Sequence, residues 1–171
     1  MIKITLPDGS IKVYEKGITP MDVAKSISEG LARNVISAKF NEEVIETKTP
    51  LTSDGDLVLF TWDNKEGKKA FWHSSAHILA QAILFYYPNA KLTIGPAIDN
   101  GFYYDIDFEE ESISENDFKK IEDKMLDFSR QKFEFSMRSV SKADALAYYN
   151  KSNNVYKVEL IENLQDGDIT F

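Results

Sequence analysis

The 171-residue sequence contains no cysteine. That absence removes a disulfide framework, a thiol nucleophile and any thiolate metal ligand from consideration. Histidine is nearly absent too, with only two residues, so imidazole chemistry can arise only where those two lie. Basic residues are in the minority: 20 Lys and Arg stand against 28 Asp and Glu, a net charge of -8. Residues 1–62 hold 7 basic and 9 acidic groups, and residues 63–171 hold 13 and 19. Neither half has the excess of Lys and Arg with which nucleic-acid modules usually neutralise phosphates. This speaks against RNA binding by the chain alone, without excluding an enzyme that grips RNA elsewhere in a longer protein. No apolar run approaches the roughly 18 residues of a membrane span. The opening Met1-Ile2-Lys3-Ile4-Thr5 alternates like a strand and lacks the apolar run of a signal peptide. A cytoplasmic protein is the simplest expectation.

What is present is ordinary for a cored protein, 43% hydrophobic and 28% charged, with length for one large domain or two small ones. Ile2, Ile4 and Leu6 alternate with polar residues, Pro7-Asp8-Gly9-Ser10 forms a turn, and Ile11, Val13 and Tyr14 resume an extended run, which predicts a hairpin. A helix follows with Thr19 as N-cap, Pro20 in the first helical position and Asp22 completing the cap. Met21, Ala24 and Ile27 mark its apolar stripe, and Gly30 its stop. Extended pieces at Val35–Phe40, Val44–Ile45 and Leu57–Phe60 complete the order of a ubiquitin-like β-grasp domain over residues 1–62. The polar stretch Asp63 to Lys69 marks the boundary.

Residues 63–171 read as an α+β domain. A helix runs from about Glu66 to Tyr87, stopped by Pro88, with Ala70, His73, Ala76, His77, Ala80, Ile83 and Leu84 on one face. Strands are expected at Leu92–Ile98 and Gly101–Phe108, joined through Asp99-Asn100-Gly101. Helices begin at Ser114, with Asp117 closing a capping box and Phe118, Ile121, Met125 and Phe128 as its face, and at Ser141, with Asp144 in the same role. Val155–Leu160 reads as a last strand, and Gly167 to Phe171 as part of another.

His73 and His77 lie four apart on a helix, so they share one face about 6 Å from each other. Such a pair can converge on one metal, one phosphate or one polarised substrate. It can equally be two histidines satisfied by their neighbours. A zinc protease needs Glu directly after the first histidine, but position 74 is Ser. Catalytic zinc also takes three protein ligands, and only the carboxylates of Asp105 and Asp107 offer themselves as a third. The segment from Ile94 through Gly95, Pro96 and Gly101 to Asp105 is the second dense stretch. Its consecutive Tyr103 and Tyr104 point to opposite faces if the backbone is extended.

These residues carry a resemblance. His73-Ser74-Ser75-Ala76-His77-Ile78-Leu79-Ala80, then Ile94-Gly95-Pro96 and Gly101-Phe102-Tyr103-Tyr104-Asp105, resemble the editing domain of threonyl-tRNA synthetases. Alanyl-tRNA synthetases share the H-x-x-x-H helix, but the first sixty residues resemble a TGS domain, and this tandem order favours the threonyl family. The resemblance implies a site that hydrolyses serine wrongly esterified to the threonine tRNA. His73 would lie nearest the ester, His77 and Tyr104 would bind substrate, and Lys157 would position water or stabilise charge. The family pattern continues with an Asp and a C-x-x-x-H element that is not in this sequence, so the chain is expected to be a fragment, incomplete for catalysis. No cofactor or metal is implied within it. ATP, Mg and a zinc are expected in a separate aminoacylation domain, tRNA(Thr) as the partner, and a homodimer formed through regions outside the chain. Two other readings stay open: an RNA- or ribosome-associating module without enzymatic activity, and part of a freestanding editing factor.

Overall fold

The computed structural model describes residues 1–133, 135, 138–167 and 169–171. The chain divides into two compact units, residues 1–73 with 97–101 and residues 74–96 with 102–171.

In the first unit, β1 (Ile2–Thr5) and β2 (Ile11–Tyr14) form the expected hairpin. β1 turns Ile2 and Ile4 into the core, 4% and 0% exposed, while Lys3 faces solvent. In β2 the alternation runs the other way than hydropathy suggests, with Ile11 and Val13 outward. Helix α1 (Pro20–Ile27) starts as its sequence dictates: Thr19 Oγ1 accepts from the Asp22 N–H, and the Thr19 hydroxyl donates to the Asp22 carboxylate at 2.6 Å. Its buried face is Pro20, Val23 and Ala24, whereas Ile27 is 41% exposed. The helix also stops earlier than Gly30. Ser28, in extended conformation, ends α1 and caps α2 (Glu29–Asn34) by accepting from the Leu31 N–H, so Gly30 lies inside a second helix. A serine that satisfies a new N-terminus redirects the chain before the glycine is reached.

Strands β3 (Ser37–Phe40), β4 (Glu43–Ile45) and β5 (Gly55–Phe60) complete a five-stranded sheet of order β2-β1-β5-β3-β4, with β5 parallel to β1 and antiparallel to β3. Ile2, Ile4, Val23, Ala38, Leu51 and Leu57 form one core between sheet and helix. This is the β-grasp arrangement expected.

Helix α3 (Lys65–Tyr86) ends ahead of Pro88, and the division into units falls after His73 within it. In the second unit it buries Ala76, Ala80, Ala82 and Ile83, while Leu84 is 38% exposed. The two long strands expected next are not formed. Instead β6 (Lys91–Leu92) pairs antiparallel with β9 (Ile106–Asp107), and the short β7 (Ala97–Ile98) and β8 (Gly101–Phe102) make a separate ladder. Gly95 and Pro96 interrupt the run, since proline has no N–H to give a ladder. Pairing persists only to the Thr93 N–H on the Asp105 carbonyl and the Asp105 N–H on the Ile94 carbonyl.

Helix α4 (Glu115–Gln131) is capped by the Ser114 N–H and hydroxyl, which donate to the Asp117 carboxylate at 2.9 and 2.8 Å. Ile121 is buried, but Phe118 is half-exposed. Helix α5 (Lys142–Lys151) begins at Ser141 as expected, with Ala145 buried. The segment expected as a last strand is helix α6 (Val155–Glu162). Tyr156, Val158 and Leu160 alternate as in a strand, but Val155, Val158 and Ile161 fit a helical period as well, and Asn154 decides by capping: its Oδ1 accepts from the Lys157 N–H at 3.1 Å. Near the end, Thr170 bridges Ser139 and the Phe171 N–H donates to the Arg138 carbonyl. Asp168, in the same expected strand, lies outside the described residues. The second unit's apolar side chains gather in two clusters, one on Ile83, Tyr87 and Ile121, the other on Ala145, Ile161 and Ile169.

Candidate functional site

α3 carries both histidines, and the unbroken helix between them keeps them on one face. Both are exposed, at the flank of the helix's buried face. His73 belongs to the first unit and His77 to the second, where the His77 ring lies 6.1 Å from that of Phe135.

The backbone of the β6–β9 region determines where Tyr104 lies. Its ring covers Gly95: a Cβ on residue 95 would stand 2.4 Å from the ring, so only glycine lets the phenol settle there. Tyr103 is half-exposed, and Tyr104 is half-buried with its phenol proton held more tightly by desolvation. Tyr104 lines an apolar hollow of about 420 Å³ with Leu79, Ile83, Ile106, Phe118 and Met125.

Lys157 is placed by α6 rather than by a strand. Asn154, buried, donates from Nδ2 to the Leu92 carbonyl at 3.2 Å while capping α6, which ties the helix to β6. The Tyr156 hydroxyl adds a second tie, donating to Asp107 Oδ2 at 2.7 Å and holding that carboxyl below its usual range. Lys157, in the same turn, lines a more polar hollow of about 520 Å³ with Tyr148, Tyr149 and Asn153. Burial there weakens the hold of the amine on its proton.

Tyr104 and Lys157 thus line separate hollows, and Tyr149 is common to both surroundings. It lines the Lys157 hollow, and its phenol, whose proton burial holds more tightly, also feels the Tyr104 phenol. The relation of Tyr149 to Tyr104 spans 45 residues, and no local pattern marks it. As for metal, Asp107 is engaged by Tyr156. Among the described residues no group of three or more His, Asp or Glu could hold a metal ion. Chemically, the second unit offers a half-buried amine, half-buried phenols and one imidazole.

A model of the TGS domain family matches residues 2–61. Over all 171 residues the chain is 66% identical to the threonine–tRNA ligase of Flavobacterium johnsoniae, 65% to that of Flavobacterium psychrophilum and 54% to that of Cytophaga hutchinsonii. The chain matches the amino-terminal quarter of threonyl-tRNA synthetases. It spans 26% of the length of each of these relatives. Among the described residues no helix is long and apolar enough to cross a membrane.

Proposed function

We propose that the chain is the amino-terminal region of a cytoplasmic threonine–tRNA ligase, with residues 1–62 a TGS domain and residues 63–171 most of an editing domain that hydrolyses seryl-tRNA(Thr). Serine is threonine less one methyl, and a missing methylene in a pocket discriminates by only about 1–3 kcal/mol. A synthetic site for threonine therefore needs a second site that admits serine and rejects the larger residue.

The observation that carries this reading is Lys157, a half-buried amine that lines a hollow and stands on a helix pinned by Asn154. Hydrolysis adds water to the ester carbonyl, and the oxyanion that develops is stabilised by a nearby cation in a site of low dielectric. Lys157 supplies that charge or orients the water. His73 relays a proton between the water and the departing ribose hydroxyl, a role imidazole fills near neutral pH. His77 and Tyr104 hold the substrate. The chain needs no cofactor for this step, and further wall residues come from sequence beyond it. ATP, Mg and a zinc belong to the aminoacylation domain, the partner is tRNA(Thr), and dimerisation runs through the other domains.

The test is His73→Ala in the full-length enzyme with preformed seryl-tRNA(Thr). Deacylation should fall by about 10²–10⁴, while threonylation is unchanged. Unaltered deacylation removes His73 from the mechanism.

A further inference from the structure

Helix α6 is eight residues long, too short to hold its shape without tertiary support. Apolar burial gives it little: among its residues only Ile161 is buried, while Val155 and Leu160 are 58% and 39% exposed. The rotation of α6 about its own axis is therefore set by the polar ties at its first turn. Asn154 Nδ2 donates to the Leu92 carbonyl on β6, and the Tyr156 hydroxyl donates to Asp107 Oδ2 on β9. These two strands are themselves paired, Lys91 opposite Asp107 and Leu92 opposite Ile106. A helix bound at a single point can pivot. Bound at two points on one ladder, it cannot.

Asp107 is the junction. Its second oxygen, Oδ1, accepts from the Glu109 N–H at 2.8 Å, an Asx turn that holds Glu109 in the left-handed region at φ 53°. Beyond that turn Glu109 pairs with the Lys91 ammonium. Among the described residues Glu109 is the one carboxylate that lines the Lys157 hollow. Its pairing with Lys91 keeps it from neutralising the amine. Lys157 follows Tyr156 by one residue, about 100° further round the helix, so the rotation that seats the phenol on Asp107 also fixes where the amine points.

Given the role of Lys157 in deacylation proposed above, we propose that Tyr156 and Asp107 are positioning residues of the hydrolytic site: their hydrogen bond sets the rotation of α6 and so directs the Lys157 amine into its hollow. A pair that only stabilised the fold would matter equally with or without that amine. A pair that aims the amine matters only while the amine is there.

The test measures kcat and KM for preformed seryl-tRNA(Thr) on the full-length enzyme, with an unfolding curve for each variant. Tyr156→Phe should lower kcat by about tenfold, with KM within about twofold of the parent. Asp107→Ala should do the same, and the two together should cost no more than either alone. Asp107→Asn should recover most of the rate, because its amide can accept from the Glu109 N–H and donate to the Tyr156 oxygen. In a Lys157→Met background, which lowers deacylation by itself, Tyr156→Phe should have no further effect. Should Asp107→Ala not fold, Tyr156→Phe, which keeps the ring, carries the test alone. A full rate in Tyr156→Phe with Lys157→Met impaired overturns the positioning pair and spares the hydrolytic reading. So does a further loss from Tyr156→Phe in the Lys157→Met background, or an Asp107→Asn enzyme as slow as Asp107→Ala. A full rate in Lys157→Met removes the amine from hydrolysis, and its positioning pair with it.

Discussion

In the first unit a five-stranded sheet and one helix close over Ile4, Val23, Ala38 and Leu57, none with any exposed surface. In the second unit the β6–β9 ladder is two residues long, and the apolar side chains divide between two small clusters. Phe85, Phe118, Phe133 and Phe135, all in the second unit, remain half-exposed or more. The contrast separates two tasks. A continuous sheet gives every strand a partner and one shared core, which makes for cooperative stability. Turns held by side-chain bonds, such as Asn154 to Leu92 and Tyr156 to Asp107, instead aim particular groups at hollows. Local stability is lowest where such sites are built.

Chemical denaturation of the chain should therefore show two transitions, the second unit melting first. Leu57→Ala should lower the later transition by about 2–5 kcal/mol and leave the earlier one in place. Ile161→Ala should do the converse, by about 2 kcal/mol because its cluster is small and half open. A single coincident transition for both variants would break the comparison. Gly95→Ala sharpens it: the added methyl would collide with the Tyr104 ring, so a loss of about 1–3 kcal/mol should appear in the earlier transition, with deacylation by the full-length enzyme reduced as Tyr104 is displaced. Thr19→Ala removes the α1 cap and should cost about 1 kcal/mol in the later transition only.

Lys157→Met should have the smallest effect on stability and the opposite sign. Burial lowers the proton affinity of this amine in the folded chain. The folded state thus loses the proton at lower pH than the unfolded state. Stability rises with pH between those two values, because there the unfolded chain binds more protons. Below both values the buried ammonium is a standing cost. The methionine variant should accordingly be more stable than the parent at neutral pH, with the gap closing as pH rises toward about 10.4, the ordinary lysine value, in unfolding curves taken across that range. Deacylation should fall in the same variant. A variant less stable than the parent at neutral pH would show that the ammonium is well solvated or paired.

Much of the fold could be read before any coordinates. The hairpin, the Thr19 cap and the α3 period are local signals, carried by residues no more than four apart. The histidine pair was legible for the same reason, since helical spacing alone places it on one face. Two of the readings that failed concern short apolar runs. Val155 to Leu160 passes for a strand until Asn154 caps it, and Leu92 to Ile98 passes for one until Gly95 and Pro96 break its bonding. The candidate site was half visible. Lys157 and Tyr104 were named through resemblance, but Tyr149, and the two separate hollows, had no sequence signal.

By itself the sequence determined the helices with complete caps, the alternation of β1, the exclusion of thiol chemistry and the one place where imidazoles could act, because each depends on neighbours along the chain. Only the tertiary structure decided that Lys157 stands on a helix, that Tyr104 rests on Gly95 and that Tyr156 is bound to Asp107. Those outcomes depend on atoms brought together from distant segments, and burial, which sets both proton affinity and exposure, exists only once the segments have packed.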